Sequence, residues 1–271
     1  MAQDKNKPVG KNQQKLLLLA VAILLLIVSG SSVFFIDFEG NQETPTPPRG
    51  TTATAPTTTP TTAPATSTAT APQLLFSDEF LDNRKGWAIS NASDYSRTIN
   101  DGQLALSVTN HKLLVESLPT SPVTNFSLTM TFTIQQADKN DSIGLFLRGD
   151  SNLDHDYRID LYGNSTYSIS KESLNEDNQQ LVRTLVGQTY TPWFHGAGQP
   201  NTITVIMAGP ETMLEINGVI VQTTTNTDYT VGQIAIFVEN GSTSNGTAAS
   251  ISRVVLTSAP QQLPTLAPGS Q

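Results

Sequence analysis

The clearest periodic signal in the chain runs from Phe126 to Ile134. Phe126, Leu128, Met130, Phe132 and Ile134 alternate with Ser127, Thr129, Thr131 and Thr133. A period of two is what a strand with one buried and one solvated face produces. Shorter runs of the same kind surround it: Leu74 to Phe80, Tyr95 to Ile99, Leu104 to Val108, Leu113 to Val115, Ile143 to Arg148, Tyr157 to Tyr162 and Tyr167 to Lys171. Leu181 to Leu185, Thr202 to Ala208, Met213 to Ile216, Val219 to Gln222, Gln233 to Glu239 and Ile251 to Leu256 complete the series. Turn residues separate the runs, and Asn100-Asp101-Gly102 and Asn217-Gly218 stand where two-residue hairpin turns belong. The pattern predicts a dozen or so strands and no helix between residues 74 and 258, in an antiparallel two-sheet sandwich. Whether the last strand returns beside the first is left open by the pattern.

A different pattern precedes the strands. Leu16 to Ile36 is uncharged over twenty-one residues, and Leu16 to Val28 is continuously apolar. Roughly 20 apolar residues span a bilayer core as a helix, so 16–36 is expected to be a transmembrane signal anchor. Residues 1–15 form a short polar tail carrying Lys5, Lys7, Lys11 and Lys15, while Asp37, Glu39 and Glu43 lie beyond the apolar run. That asymmetry places the tail in the cytoplasm and the strand-rich region outside, at a cell membrane crossed once. The competing reading is a cleaved signal peptide, with Ser29-Gly30-Ser31-Ser32 supplying small residues. Against it, Val33 to Ile36 resumes the apolar run.

Residues 37–73 form a linker. Thr51 to Thr70 contains eleven Thr, five Ala, three Pro and one Ser, a composition that cannot build a core and favours extended chain. It reads either as a glycosylated stalk or as a plain spacer. Residues 259–271 form a Pro-rich tail expected to be disordered. Between them, 74–258 is long enough for one sizeable β-sandwich domain. It holds nineteen acidic and ten basic side chains, a formal charge of −9. That field disfavours phosphate backbones and sets nucleic acid aside as a partner. Cysteine is absent, which excludes disulfides, thiol nucleophiles and thiolate metal sites.

Several segments in order carry a resemblance. Phe76-x-Asp78-x-Phe80, Trp87 and Ile99-Asn-Asp-Gly-Gln-Leu104 open the domain. Ile143-Gly-Leu-Phe-Leu-Arg148, Asp156-Tyr-Arg-Ile-Asp-Leu161, Tyr167-Ser-Ile-Ser-Lys171 and Leu214-Glu-Ile-Asn-Gly218 come after them. Together they resemble concanavalin A-like, laminin G-like jelly rolls, most of all the 3-keto-disaccharide hydrolase type (domain of unknown function 1080). The resemblance implies an all-β jelly-roll sandwich, surface attachment and, in many relatives, carbohydrate binding. Some relatives act on glycosides, and laminin G-like domains often hold calcium at the sheet rim.

Candidate chemistry is sparser. The sandwich-fold glucanases that this fold resembles present Glu-x-Asp-x-x-Glu on one strand, and that motif is missing here. Asp154 and Asp156, with Asp160, come nearest, but Asp154 and Asp156 read as solvated turn carboxylates. No catalytic residue is assigned. Asp150, Asn152, Asp154 and Asp156 form an oxygen-rich loop suited to calcium, as do Asp138, Asn140 and Asp141; Asp78, Glu79 and Asp82 read instead as a capped turn. His111, His155 and His195 are too scattered for a zinc triad. Sugars stack on exposed aromatic rings while polar side chains bind their hydroxyls. Trp193, Tyr190 and His195, in the loop from Gly187 to Pro200, are the leading ligand-binding candidates, with Tyr157, Arg158 and Arg148 from the central strands. Trp87 is assigned to the core. Six Asn-x-Ser/Thr sequons start at Asn91, Asn125, Asn140, Asn164, Asn240 and Asn245.

The expectation is a membrane-anchored, extracytoplasmic recognition or adhesion module, directed at cell-surface glycans. The alternatives are an envelope protein packed against its neighbours and a sugar-directed hydrolase.

Overall fold

The structure is a computed structural model that describes residues 71–261, 263 and 264. The basic tail, the apolar segment 16–36 and all but the end of the linker lie outside the described residues. Among those described, no helix is long and apolar enough to cross a membrane.

The described chain forms β1 (Leu74–Asp78), β2 (Ser90–Asn91), β3 (Tyr95–Asn100), β4 (Gln103–Val108), β5 (Leu113–Ser117), β6 (Phe126–Gln136), β7 (Ser142–Gly149), β8 (Asp156–Tyr162), β9 (Thr166–Leu174), β10 (Gln180–Tyr190), β11 (Pro200–Ala208), β12 (Glu211–Ile216), β13 (Val219–Thr225), β14 (Gln233–Glu239) and β15 (Thr247–Ser258). They build an antiparallel, all-β jelly-roll sandwich. One sheet has the order β13-β12-β11-β6-β15-β4-β3-β2, with β1 also on β15; the other has the order β10-β9-β8-β7-β14-β5. The last strand does lie beside the first. The early part of β15 pairs with β4 and its later part with β1, in the register Leu74↔Thr257.

The alternation of β6 translates directly into burial. Its five apolar residues are buried and the intervening Ser and Thr are half-buried. These residues meet Leu145, Leu147, Ile159, Leu161, Ile169 and Ile236 of the opposite sheet in one core. Trp87 joins that core, with its indole N–H donating to Asp78 at 2.7 Å. The two predicted hairpins form as tight turns. Asp101 and Gly102 (φ 52° and 71°) join β3 to β4, and Asn217 and Gly218 (φ 50° and 83°) join β12 to β13. Positive φ at both central residues is what the right-handed strand twist asks of a two-residue loop.

Tyrosines help hold the sandwich shut along its β9–β13 side. The Tyr167 hydroxyl crosses from β9 and donates to the Val221 carbonyl of β13 at 3.0 Å. In the connection leading to β14, Asn226 Oδ1 accepts from the Tyr157 hydroxyl at 2.6 Å, and the Tyr229 hydroxyl donates to the Glu172 carbonyl at 2.8 Å.

Two elements depart from the sequence pattern. β2 is two residues of Ser and Asn, with no apolar alternation to reveal it. β10 runs eleven residues rather than five and includes Tyr190, which the pattern places in a loop. It is an edge strand with register shifts between Thr184 and Val186 and between Val186 and Thr189. Bulged and mostly exposed, it never repeats a clean period.

Candidate outer-face groove

In the six-stranded sheet, alternate positions of each strand feed the sandwich core, and their neighbours point the other way. That outer face holds a second apolar cluster, Phe146, Ala235 and Phe237. Gly144 makes room for it: a Cβ there would lie 2.4 Å from Phe237 Cζ and 2.0 Å from the Ile159 carbonyl. All eight residues of β7 are consequently buried, on both faces.

Arg158 lies across this cluster. Its guanidinium carbon is 4.5 Å from the Phe237 ring centroid and 5.5 Å from that of Phe146, a cation–π arrangement over two rings. Nε donates to both oxygens of Asp160 at 3.1 and 3.0 Å, Nη2 donates to Asp160 Oδ1 at 2.7 Å, and Nη2 also donates to Glu239. Nη1 pairs with Glu172 Oε1 at 3.5 Å. Burial opposes the charge on Arg158, but the carboxylates of Asp160, Glu239 and Glu172 outweigh it and raise its pKa above the ordinary guanidinium value. Glu172 fares worse. Burial raises its pKa, and neither distant Arg158 nor Gln180 Nε2, which donates at 2.5 Å, offsets that cost fully. One cation shared among three acids stabilises itself more than each of them.

Directly opposite Glu172 in the β8–β9 register sits Asp156. It is fully buried, and neither carboxylate oxygen has a hydrogen-bond partner. Burial, and then repulsion by Glu172, pushes its pKa up to about 8. The sequence reading of Asp156 as a solvated turn carboxylate is therefore corrected. It starts β8 rather than ending a loop, and Leu153 packs back over the same spot, beside Gly149.

A cavity of about 350 Å³ opens over this face, lined among others by Arg158, Asp160, Tyr162, Ser168, Glu172 and Thr184. Gln188 also lines it and donates to Thr166 Oγ1 at 2.7 Å. Tyr190 pairs with Thr166, which alternates with Ser168 and Ser170 and so shares their outer face. Tyr190 is 67% exposed. A larger cavity of about 490 Å³ lies beside β1, but its Asp82 and Arg84 are already paired with each other at 2.6 Å.

The other sequence candidates scatter. Trp193 is 50% exposed, three residues beyond Tyr190, while its neighbour Phe194 is buried against Phe132. The backbone around Trp193 is held by Asn217 Nδ2, which donates to its carbonyl at 2.6 Å. His195 is exposed, with its backbone N–H donating to Asn201 at 2.8 Å. Tyr157 is in the core, its hydroxyl occupied by Asn226 and the Tyr229 N–H. Arg148 is buried, and its five N–H groups go to Thr124 O (twice), Gly209 O, Tyr229 O and Asn125 Oδ1. A guanidinium has five donors, so none remains for a ligand. Asp150 spends its carboxylate on its own loop, accepting from Asn152 N, Asp154 N and His155 Nδ1. Among the described residues, no three acidic or histidine side chains gather in a way that could hold a metal ion. Asn240 is buried, its Oδ1 accepting from His111 N at 2.9 Å, so that sequon is closed in the folded chain.

Of the ligand-binding candidates named from the sequence, Arg158 and Tyr190 lie on strands of this sheet, while Glu172, Glu239 and the Phe146–Phe237 pair were not singled out. Each stands at an alternating position of its strand. That signal locates a face and does not say which strands share it.

No family model matches the chain, and no curated protein matches it. Solved structures do. One similar structure is a protein of unknown function with a galectin-like fold from Bacillus subtilis, at TM-score 0.52 and 13% identity, over 70% of this chain and 98% of that one. A GlcNAcα1-4Gal-releasing endo-β-galactosidase from Clostridium perfringens matches at TM-score 0.51 and 11% identity, over 72% and 64%. A Bacteroides ovatus mixed-linkage glucan GH16 protein, in complex with its product, matches at TM-score 0.50 and 10% identity, over 68% and 100%. At such identities the likeness establishes a lectin-like jelly-roll fold.

Proposed function

We propose that this chain is a glycan-recognition module displayed outside a membrane, and that the outer face of the six-stranded sheet is where the glycan binds. The observation that carries the reading is the cavity of about 350 Å³ on that face, lined by hydroxyls, carboxylates and an amide, with the exposed Tyr190 paired with Thr166 in the same sheet. Saccharides are bound by such combinations of flat rings and fixed polar partners. The galectin-like and glycan-acting proteins that share this architecture support the choice of ligand class. The order of motifs from Phe76 to Gly218 supports a laminin G-like relationship and, within it, the 3-keto-disaccharide hydrolase type. The uncharged run 16–36, with lysines before it and acids after it, supports the tether.

The full-length chain, applied to an array of neutral, amino and acidic oligosaccharides, is expected to retain at least one class. Tyr190→Ala and Gln188→Ala should each weaken that binding about tenfold or more while leaving the melting temperature unchanged, since both side chains are exposed. Retention of no glycan, or variants that bind like the parent, would overturn the reading. Reducing-end release measured on the same array decides the hydrolase alternative. Fractionation tests the tether: a full-length chain in the soluble cytoplasm would end it.

One observation favours packing against envelope neighbours. β10 is an edge strand with Leu181 51% and Val182 60% exposed, and unpaired edges are templates for association. Co-purification with surface components in the absence of glycan binding would select this second reading.

A further inference from the structure

The six-stranded sheet ends at β10, and the first half of that strand is a regular, uncovered edge. Gln180 to Thr184 pair with Leu174 to Ser170 in unbroken register, and the bulges begin only beyond Thr184. All five residues are exposed. The stretch holds no proline and no acid, and its one charge is Arg183. Sheets usually blunt an edge with bulges, prolines, charges or covering groups. Terminal strands β5 and β13 are covered in that way. The Val115 carbonyl of β5 accepts from Arg97 Nη2 at 3.0 Å. On β13, the Val221 carbonyl accepts from the Tyr167 hydroxyl at 3.0 Å and the Thr223 carbonyl from Gln222 Nε2 at 2.8 Å. Among the described residues, no side chain hydrogen-bonds to the backbone of 180–184; the bonds nearby join two side chains, as from Gln180 to Glu172, or reach Gly187.

We infer that this edge takes a second copy of the chain, paired antiparallel about Val182. A two-fold axis perpendicular to the sheet keeps each face on its own side, and directly opposite residues share a face. The axis must therefore pass through a residue. Centred on Val182 it uses the whole regular stretch: Val182 meets Val182, Leu181 meets Arg183 and Gln180 meets Thr184. Centred on Arg183 it would set two guanidinium groups opposite each other, which is unfavourable. Val182 is 60% and Leu181 51% exposed, so the pairing removes apolar surface from water. Charge favours the same place. Two acidic heads repel, and this stretch brings no acid against an acid. So short a ladder belongs with weak, transient contacts rather than with stable interfaces of about 1,200–2,000 Å²; a membrane tether, where that reading holds, raises the effective concentration that makes it count. Val182 and Thr184 also line the cavity, so two cavities would flank the axis on one continuous face. That consequence rests on the glycan reading; the pairing itself does not.

The chain has no cysteine, so Val182→Cys supplies a single thiol. Directly opposite residues have Cα atoms about 4.5–5.5 Å apart, inside the roughly 4.4–6.8 Å that a disulfide spans. Thr184→Cys is the register control, because in this pairing the two copies of that position lie more than about 13 Å apart. With full-length chain in detergent micelles and a mild oxidant, Val182→Cys should give a cross-linked dimer in about fivefold greater yield than Thr184→Cys, or more. In sedimentation up to about 1 mM protein the parent should pass from monomer toward dimer. Val182→Lys sets two ammonium groups opposite each other and should weaken that association about fivefold or more. Both positions are exposed, and melting temperatures equal to the parent's would verify that the variants fold. Equal cross-linking at the two positions, a parent that stays monomeric, or a Val182→Lys variant that associates like the parent overturns the pairing. The glycan reading survives each of these results, since the oligosaccharide array decides it separately.

Discussion

Asp156 offers the sharpest test of the electrostatics of this face. Replacing it by Asn keeps its shape and removes its ionisation. In the folded chain its pKa rises from 3.8 to about 8, so between those values the folded state holds a proton that the unfolded chain has released. Stability therefore falls as pH rises from about 4 toward about 8, and above about 8 this group adds no further slope. At pH 7 the difference is roughly three pH units above the unfolded value, or about 4 kcal/mol at 1.36 kcal/mol per unit. An Asn amide would itself be buried without partners, a cost of about 1–3 kcal/mol, partly matched by that of the protonated acid it replaces. Asp156→Asn is thus expected to stabilise the protein by about 1–4 kcal/mol at pH 7 and hardly at all near pH 4. Urea denaturation at a series of pH values reads this directly. The parent profile should decline with pH and the variant should be much flatter, with a residual slope of the same sign from Glu172, whose pKa is also raised by burial. Parallel profiles, or a variant less stable than the parent at pH 8, would show that Asp156 is ionised and paired, and the reasoning would fail.

The packing leads to three more expected outcomes. Arg148→Lys replaces five directed donors by at most three, leaving buried carbonyls of three loops unpaired, and should cost about 2–4 kcal/mol in chemical denaturation; a loss below about 0.5 kcal/mol would deny Arg148 its role as a tie. Gly144→Ala puts a methyl 2.0 Å from the Ile159 carbonyl of β8 and should cost about 3 kcal/mol or more, seen as a lower melting temperature or a loss of soluble protein; near-parent stability would mean that β7 can part freely from β8 and from the Phe237 ring of β14. Calcium at about 1 mM should leave the melting temperature unchanged, because Asp150 closes its own turn and Asp156 is buried; a clear upward shift would show that the loop reopens around a cation.

The strands were legible because each rests on a local rule. The alternation of Phe126 to Ile134 needs one face buried whatever lies opposite, and Asp101-Gly102 and Asn217-Gly218 need positive φ wherever the hairpin goes. β10 and Tyr190 escaped because an exposed, bulged edge strand has no buried face to impose a period. The chemistry escaped for a related reason. Arg148 and Arg158 stand on neighbouring strands, yet one points its donors at backbone carbonyls and the other at carboxylates. Asp154 and Asp156 differ by two positions, yet only Asp156 is fully buried.

By itself, then, the amino-acid order determined the strand content, the hairpin turns, the absence of thiol chemistry, the acidic field and the core assignment of Trp87, because each depends on a residue and its near neighbours. Only the tertiary structure decided that β15 closes on β1, that Glu172 and Glu239 converge on Arg158 from separate strands, and that Asp156 is buried. Those outcomes depend on which strands become neighbours, and side chains far apart in the chain, such as Arg158 and Glu239, meet only after long-range pairing has folded the sheet.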